Sequence, residues 1–252
     1  MKFILVALFG LVGLAILPCE SFAQERGSLY GLAATIDPGH GGKDPGSSRM
    51  HRGARVTEDE YVYDVAVRVR RLSRERQGIA SLTITDAVGE RNFSPSQVFP
   101  DSRTERFALD GTLVHAGQGG LNKRLAFGNL IRDRYPKHRR VWISIHFDVT
   151  GSSASIEGVR IIAADTASRL AQALKKSFGA DNRLRDEAPL VGNGDPAHGI
   201  RNLAVLRSAN KHKDRVLIEL GNFNNDSDLW RIRDPKVREA YALAIVRALE
   251  QY

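Results

Sequence analysis

The sequence predicts a single α/β domain with a mostly parallel central sheet and helices on both faces. Short apolar runs typical of buried strands alternate along the chain with longer segments of helical periodicity. The chain after residue 23 has a length usual for one domain with a substantial core, and no repeat or long linker divides it. The predicted strands are residues 32–36, 81–85, 141–145, 158–163 and 216–218, and the predicted helices are residues 58–76, 121–134, 166–178 and 235–251.

The first helix, residues 58–76, carries the clearest pattern. Its apolar residues recur at steps of three and four, which is the spacing of one buried helix face. Thr57 and Glu60 have the spacing of a capping box, in which each side chain bonds the backbone amide of the other residue. That boundary places Glu58 in the first turn, from which its carboxylate projects towards a neighbouring site. The apolar face consists of Val62, Val65, Val69 and Leu72.

The last helix and one long loop complete the pattern. Asp234 at the cap and Pro235 at the first helical position predict where the last helix begins.

Residues 87–120 form a long segment without predicted secondary structure. Their apolar residues show no helical or strand periodicity, and the segment is rich in turn-forming residues, which is unusual for so long a stretch inside a compact domain. We expect an insertion near the site, with a surface insertion as the alternative. Its residues that can reach a metal are Glu90, Glu105 and His115.

The first 23 residues predict an export signal. Lys2 precedes an apolar stretch over residues 3–17, and small residues before position 24 fit cleavage after Ala23. An uncleaved anchor is the alternative, but the apolar stretch is short for a membrane span, so no stable membrane anchor is expected. Cys19, the single cysteine, raises the further alternative of lipoprotein processing, which the neighbouring Pro18 disfavours.

The chain is strongly basic, with a formal net charge of +8 at pH 7. The cationic runs lack the interleaved aromatic residues of nucleic-acid binders, and export removes that partner, so we expect no nucleic acid and instead an anionic extracytoplasmic polymer. If cleavage follows Ala23 and removes Cys19, we expect the mature chain to have no disulfide and no cysteine-ligated zinc. The cationic runs are residues 51–52, 68–76, 137–140 and 211–215.

Four polar residues occupy equivalent positions in the predicted elements. His40 follows the first strand in a glycine-rich turn, His146 and Glu219 follow two later strands, and Glu58 begins a helix. Ligands of open parallel sheets bind outside the carboxyl ends of the strands, so we expect these side chains to converge there. Two histidines and a carboxylate leave an open position on Zn²⁺, and a further carboxylate supplies a general base. The sequence therefore predicts a metallohydrolase site.

Each of these residues also has a plainer interpretation. A histidine after a strand is often a surface or capping residue, Glu58 is also placed to complement the helix dipole, and Glu219 is also placed as a satisfied carboxylate at a strand end. Convergence of all four on one edge favours the metal site. Asp37 and Asp148 flank the two histidines and are predicted to accept their second ring protons.

Several segments of the chain follow one another in the order of one enzyme family. They are the turn at 36–46 with the sequence IDPGHGGKDPG, Glu58 standing eight residues before Ala66, Leu121-x-x-Arg124 followed by Gly128-Asn129, Ser144-Ile-His146, and Val216-Leu-Ile-Glu219-Leu-Gly221 with Asn225. Together they resemble the zinc-dependent N-acetylmuramoyl-L-alanine amidases of the type 3 family. The resemblance covers about residues 31–252.

The resemblance implies an activity and a site. The activity is hydrolysis of the amide between N-acetylmuramic acid and L-alanine in peptidoglycan, by a catalytic domain at residues 24–252. The zinc ligands are His40, Glu58 and His146, and Glu219 transfers the proton.

The resemblance also implies residues that contact the substrate. Arg201 is the candidate for holding a stem-peptide carboxylate or the oxyanion, with a surface arginine as the alternative. Asn129 and Asn225 are the other candidates for substrate binding.

The implied partners are peptidoglycan and, if residues 87–120 occlude the zinc, a protein activator. The implied location is outside the cytoplasm, in the periplasm, with a secreted or wall-associated enzyme as the alternative. Two other functions stay open at this point. One is a peptidoglycan-binding or regulatory protein without turnover, and the other is a zinc amide hydrolase acting on another peptide or on an acylated sugar.

Overall fold

The computed structural model describes residues 26–86, 94–147, 154–184 and 190–252. The predicted export signal and Cys19 lie outside these ranges. Within them the strands are β1 Leu32–Pro38, β2 Ser48–His51, β3 Ala54–Thr57, β4 Ile79–Leu82, β5 Ile84–Thr85, β6 Arg106–Phe107, β7 Arg139–His146, β8 Arg160–Ala163, β9 Leu190–Gly192 and β10 Asp214–Glu219. The helices are α1 Glu58–Glu75, α2 Gln118–Arg134, α3 Arg169–Gly179, α4 Asp226–Arg233 and α5 Pro235–Gln251, with 3₁₀ turns at Pro196–His198 and Ala204–Leu206.

A six-stranded sheet in the order β4-β1-β7-β10-β8-β9 forms the centre of the domain. Its neighbouring strands are parallel except β10 and β8, which run antiparallel. This confirms the predicted mostly parallel sheet. The register places Glu219 directly beside His146 on adjacent strands, so the ends of β7 and β10 meet at one edge.

Helices cover both faces of the sheet, as predicted. Alternate residues of β7 and β10 enter two cores, because successive strand side chains point to opposite faces. Val141, Ile143 and Ile145 belong to the larger core, which α1, α3 and α5 also form. Trp142 and Leu217 belong to a smaller core on the other face, closed by α2 and the segment around the second 3₁₀ turn.

The four predicted helices are present with end points shifted by at most three residues. The predicted capping box is wrong. Thr57 is the N-cap residue, but its side chain makes no capping hydrogen bond. Instead, Glu60 Oε1 accepts the Ser102 amide at 2.6 Å, because the inserted segment packs against this end of α1.

The part of the insertion that follows residue 93 is anchored to α1 and α5. Asp64 accepts the Ser94 amide at 2.7 Å and also pairs with the guanidinium groups of Arg68 and Arg238, each at 2.7 Å. Arg238 in turn donates to the Ser96 carbonyl at 2.6 Å. The Asp64 and Arg238 side chains are fully buried, so this network fixes the segment along the helices.

Candidate metal centre and active site

His40, Glu58 and His146 converge at the carboxyl edge of the sheet. His40 lies in the turn after β1, Glu58 is the first residue of α1, and His146 is the last residue of β7. Each offers a ligand atom, and these atoms lie within 4.8 Å of one another. The predicted convergence is therefore present, although the three residues come from separate elements.

The turn that carries His40 has an unusual backbone held by a buried arginine. His40 has φ of 63°, a left-handed conformation that costs a residue other than glycine free energy unless neighbours fix it. Arg124, on α2, donates to the carbonyl of Pro38 at 2.5 Å and to the carbonyl of His40. Because these bonds hold both sides of the turn, Arg124 positions the His40 ring.

Gly39 and Gly46 of the same turn lie so close to the site residues that a side chain would not fit. A Cβ at Gly39 would stand 2.4 Å from the His146 ring. A Cβ at Gly46 would stand 2.6 Å from both the Glu58 carboxylate and the His40 ring. Side chains at these positions would therefore displace the groups that form the site.

Glu58 is the centre of the cluster and is 1 % exposed. Its Oε1 accepts the Phe147 amide and lies 3.0 Å from His146 Nδ1, while its Oε2 accepts the Ser47 amide and lies 3.3 Å from His40 Nε2. The two backbone amides fix the carboxylate orientation. Burial alone would raise the pKa of Glu58, but the two imidazoles outweigh it and hold that pKa well below its ordinary value.

The His40 ring has an acidic group on each side. Its Nδ1 lies 3.0 Å from Asp44 Oδ2, which leaves Nε2 directed at Glu58. Burial opposes protonation, but the carboxylates of Glu58 and Asp44 outweigh it and raise the pKa of His40 to about 10. A carboxylate behind a ring nitrogen is the usual outer-shell partner of a metal-binding histidine. The donor set of two imidazoles and one carboxylate thus fits Zn²⁺.

Glu219 and Arg201 lie beside the three ligand residues. A cavity of about 400 Å³ is lined by both of them together with His40, Glu58 and His146. Glu219 is 8 % exposed, so its carboxylate reaches the cavity from a largely buried position. A second cavity of about 240 Å³ is also lined by His40 and His146 and has Asp44, Leu203 and Leu217 in common with the first. The two cavities therefore adjoin at the histidines.

Residues 35–251 match the family described as N-acetylmuramoyl-L-alanine amidase. The chain belongs to this family. An uncharacterised cell wall amidase of Bacillus anthracis is 27 % identical over 238 residues, which are 91 % of this chain and 37 % of that protein. This chain therefore spans little more than a third of that curated relative.

Solved structures show the same fold. Cwp6 from Clostridium difficile is 21 % identical with a TM-score of 0.61, over 87 % of this chain and 29 % of that one. The CwlD amidase from Clostridioides difficile, solved in complex with the GerS lipoprotein, is 17 % identical with a TM-score of 0.59, over 87 % of this chain and 98 % of that one. The amidase-family fold thus accounts for nearly all of the described chain.

Arg160 is a neighbour of the amidase site that the sequence did not reveal. It faces Glu219 in the antiparallel register of β8 and β10. Burial lowers the pKa of Arg160, and the charge of Glu219 partly offsets that effect. Because β8 was predicted only as a strand, no local pattern marked Arg160 as a partner of the site. The pairing depends on strand order.

Asp37 does not have the role predicted for it. Its carboxylate accepts from the Thr83 hydroxyl at 2.6 Å, the Ser144 hydroxyl at 2.7 Å and the Arg124 guanidinium at 2.9 Å, and it does not contact a histidine ring. Asp37 is inside β1, and its side chain points to the face covered by α2, where its bond to Arg124 stabilises the base of the turn. Asp44 stands behind His40 instead. Asp148 lies outside the described residues.

Two predicted substrate-binding residues of this amidase-family chain lie elsewhere. Asn129 bridges α2 to a neighbouring loop by donating to the Ala209 carbonyl and accepting the Lys211 amide. Asn225 caps α4 by accepting the Asp228 amide at 3.0 Å. Neither residue lines the two cavities beside the histidines. Arg201 is the substrate-binding candidate that the fold brings to the site.

The described part of the insertion supports the site without supplying a ligand. Glu105 is buried behind the His40 turn, where it accepts the Gly42 amide at 2.9 Å. His115 lines the smaller cavity, with its Nδ1 2.9 Å from the Ala116 carbonyl oxygen. Neither residue joins the group formed by the three ligand candidates. Glu90 lies outside the described residues.

A second carboxylate group lies behind the site. Asp59, Glu60 and Glu105 are buried with oxygens within 4.8 Å of one another. Burial, followed by the charge of Glu60, raises the pKa of Asp59 to about 8. A protonated Asp59 at neutral pH lowers the repulsion within this group.

Proposed function

We propose that this protein hydrolyses the amide bond between N-acetylmuramic acid and L-alanine in peptidoglycan, with zinc as its cofactor. The observation that carries the proposal is the group of His40, Glu58 and His146 beside Glu219 at one sheet edge. Family membership supports the reaction class. The two adjoining cavities lined by the histidines support a substrate that extends beyond the scissile amide, as a glycan joined to a peptide does.

His40, Glu58 and His146 would hold the zinc. When bound, zinc supplies Lewis-acid chemistry, because it polarises the scissile carbonyl and makes water more acidic. The protein contributes a preformed set of donors whose orientation is fixed by the amides on Glu58 and by Asp44 behind His40. Preorganisation of this kind reduces the cost of assembling the site.

Glu219 would act as general base and then as general acid. Its carboxylate takes a proton from the attacking water and delivers it to the leaving nitrogen of L-alanine. Its position directly beside His146 in the sheet register supports this role. Arg160 faces Glu219 in the register of β8 and β10, so a positive charge lies beside this carboxylate.

Arg201 would bind an anionic part of the substrate. It is exposed and lines the cavity that also contains Glu219. A guanidinium at this position pairs with a stem-peptide carboxylate through two parallel hydrogen bonds. Removal of Arg201 should therefore raise KM more than it lowers kcat.

Peptidoglycan places the reaction outside the cytoplasm, and we propose the periplasm as the compartment. No helix in the described ranges is long and apolar enough to cross a membrane. An activator protein is part of the proposal if residues 87–120 occlude the site; within this segment, His115 and Gly117 line the smaller cavity beside the histidines.

The decisive experiment compares the zinc-loaded protein with its Glu219→Gln variant on purified peptidoglycan. Mass spectrometry of the soluble products should show stem peptides with a free L-alanine amino group from the original protein. Turnover by the variant should fall roughly 100-fold or more, with zinc content unchanged. Glu75→Gln, at the exposed end of α1, is the matched control and should leave turnover unchanged.

Other outcomes would select other functions. Zinc-loaded protein that binds peptidoglycan without releasing peptide would support a binding or regulatory role. Release of products cut at another amide would support a different zinc amide hydrolase. Either result would overturn the proposed reaction.

A further inference from the structure

Two basic runs that are distant in sequence meet at the amino edge of the sheet. Residues 137–140 lead into β7, and residues 211–215 lead into β10. These strands are parallel neighbours, with Asp214 opposite Val141, so Lys213 lies next to the start of β7. The opposite ends of the same two strands carry His146 and Glu219. A strand of eight residues spans roughly 25 Å, which separates the two edges.

A continuous groove, which we call the amino-edge groove, runs along this surface. Two cavities of about 400 Å³ each have Arg139, Lys213, Asp214 and Tyr252 in common. Because they have these walls in common, they form one concave surface and not two separate sites. Six cationic side chains line it, against the two carboxylates of Asp165 and Asp214. The cations are Arg132, Arg139, Arg140, Arg169, Lys211 and Lys213.

Most of these cations lack an ionic partner. Within the described ranges, ion pairs involve none of Arg139, Arg140, Arg169, Lys211 and Lys213, and the sixth cation, Arg132, pairs with Asp133. Five cations at one edge therefore form no ion pair with the described residues.

The acidic groups of the groove are already engaged. Asp214 accepts the Tyr252 hydroxyl at 2.7 Å. Asp165 accepts the Ala167 amide at 2.9 Å. The Tyr252 ring lies beneath the Arg139 guanidinium, 5.8 Å from it. These contacts hold the floor of the groove in place and leave the cationic heads available.

We propose that the amino-edge groove binds a linear phosphodiester polymer of the cell envelope. A polymer with one negative charge per repeat matches a groove in which six cations outnumber two carboxylates. Peptidoglycan stem peptides combine carboxylates with amino groups, so their charges cancel in part and fit the groove less well. The proposal is independent of the reaction at the opposite edge.

The shape and composition of the groove favour this polymer over two other polyanions. A bilayer surface is broad and would contact a convex surface with exposed apolar anchors, whereas this surface is concave. A nucleic acid would use aromatic residues as stacking platforms. Tyr252 is the aromatic residue that lines both cavities. Its hydroxyl donates to Asp214 and its ring lies under the Arg139 guanidinium, so this face of the ring is not available for stacking on a base.

Binding of fluorescent synthetic poly(glycerol phosphate) to the purified protein tests the proposal. The double variant Arg140→Glu, Lys213→Glu should weaken binding by at least about 10-fold, since two contacts become repulsive. The matched control is Lys175→Glu, Lys176→Glu on the exposed side of α3, which changes the net charge equally. It should retain binding within about 2-fold, because long-range charge effects are screened by salt.

Parallel titrations with poly-glutamate, single-stranded DNA and phosphatidylglycerol vesicles identify the partner. Stronger binding of poly(glycerol phosphate) than of all three, lost in the groove variant alone, would support the proposal. Equal weakening in both double variants would indicate non-specific attraction and overturn it. Preference for vesicles, DNA or poly-glutamate, or no binding at all, would also overturn it. Hydrolysis of soluble muramyl peptides by the groove variant reports separately on the catalytic edge.

Discussion

The two edges of the central sheet use the same strands in opposite ways. At the carboxyl edge, β7 and β10 end in His146 and Glu219, and the polar groups there are held by one another and by backbone amides. At the amino edge, the same strands begin among six cations, five of which form no ion pair with the described residues. A site that must hold a metal needs fixed geometry, whereas attraction of a polyanion needs mainly a sum of charges.

This difference has a measurable consequence. Changes of shape at constant charge should damage the carboxyl edge and leave the amino edge unaffected. Changes of charge should affect both edges: at the carboxyl edge through loss of metal binding, and at the amino edge through weaker attraction of a polyanion.

Removal of one imidazole should abolish function at the carboxyl edge. His146→Ala leaves His40 and Glu58 as the ligands, so zinc binding should weaken by more than roughly 100-fold, beyond the usual effect of an outer-shell change. Hydrolysis of peptidoglycan should be lost with it. Zinc content after dialysis and product release measure the two effects. His138→Ala, in the amino-edge groove, is the matched control. Full zinc retention by His146→Ala would contradict the assigned ligand set.

A single added methyl group should be harmful at the carboxyl edge. In Gly39→Ala the new Cβ would meet the His146 ring, so the ring or the turn must move. We expect a loss of about 1–3 kcal/mol in the free energy of unfolding. Zinc affinity should fall by roughly 10-fold or more, because ring orientation is disturbed.

Gly192→Ala supplies the control for that substitution. A Cβ at Gly192 has no neighbour within 4 Å among the described residues. Urea unfolding and zinc titration of both variants should show the difference. Equal behaviour of the two would mean that the turn adapts and that close approach does not constrain Gly39.

Arginine-to-lysine exchange separates geometry from charge. Arg124→Lys keeps the charge but cannot reach Pro38, His40 and Asp37 together, so the free energy of unfolding should fall by about 1.5–3 kcal/mol. Arg140→Lys at the amino edge should change stability by less than about 0.5 kcal/mol and leave poly(glycerol phosphate) binding nearly intact. A similar response of both positions would remove the distinction between the edges.

Zinc binding should release protons at neutral pH. The pKa of His40 is raised to about 10, so its ring is protonated at pH 7 and must lose that proton to bind a metal. About one proton per zinc should therefore be released at pH 7, and the affinity for zinc should rise as the pH increases towards 10. Calorimetry in buffers of different ionisation enthalpy measures the release. An enthalpy independent of the buffer would contradict this expectation.

The sequence predicted most of the secondary structure around the site. Helix α5 begins and ends at the predicted residues, because Asp234 and Pro235 are local signals. The hairpin of β2 and β3 was not predicted, since its four-residue strands carry no clear alternation of apolar and polar residues. Helix α4 is only eight residues long, which is too short for a period to be recognised.

The sequence alone determined which residue types stand at the ends of strands and at the start of α1. Apolar runs and capping residues are local, so His40, Glu58, His146 and Glu219 could be placed without the fold. Their convergence followed from the parallel sheet that the sequence predicts, but only the tertiary structure decided which further groups join them. It placed Arg201 in the lining of the same cavity as Glu219.

The same tertiary order decided what the local patterns could not. It directed Asn129 and Asn225 to structural contacts away from the site. It also joined the basic runs before β7 and β10 into one groove. The physical reason is that strand adjacency comes from long-range pairing within the sheet, whereas periodicity reports only the contacts of a residue with its near neighbours in sequence.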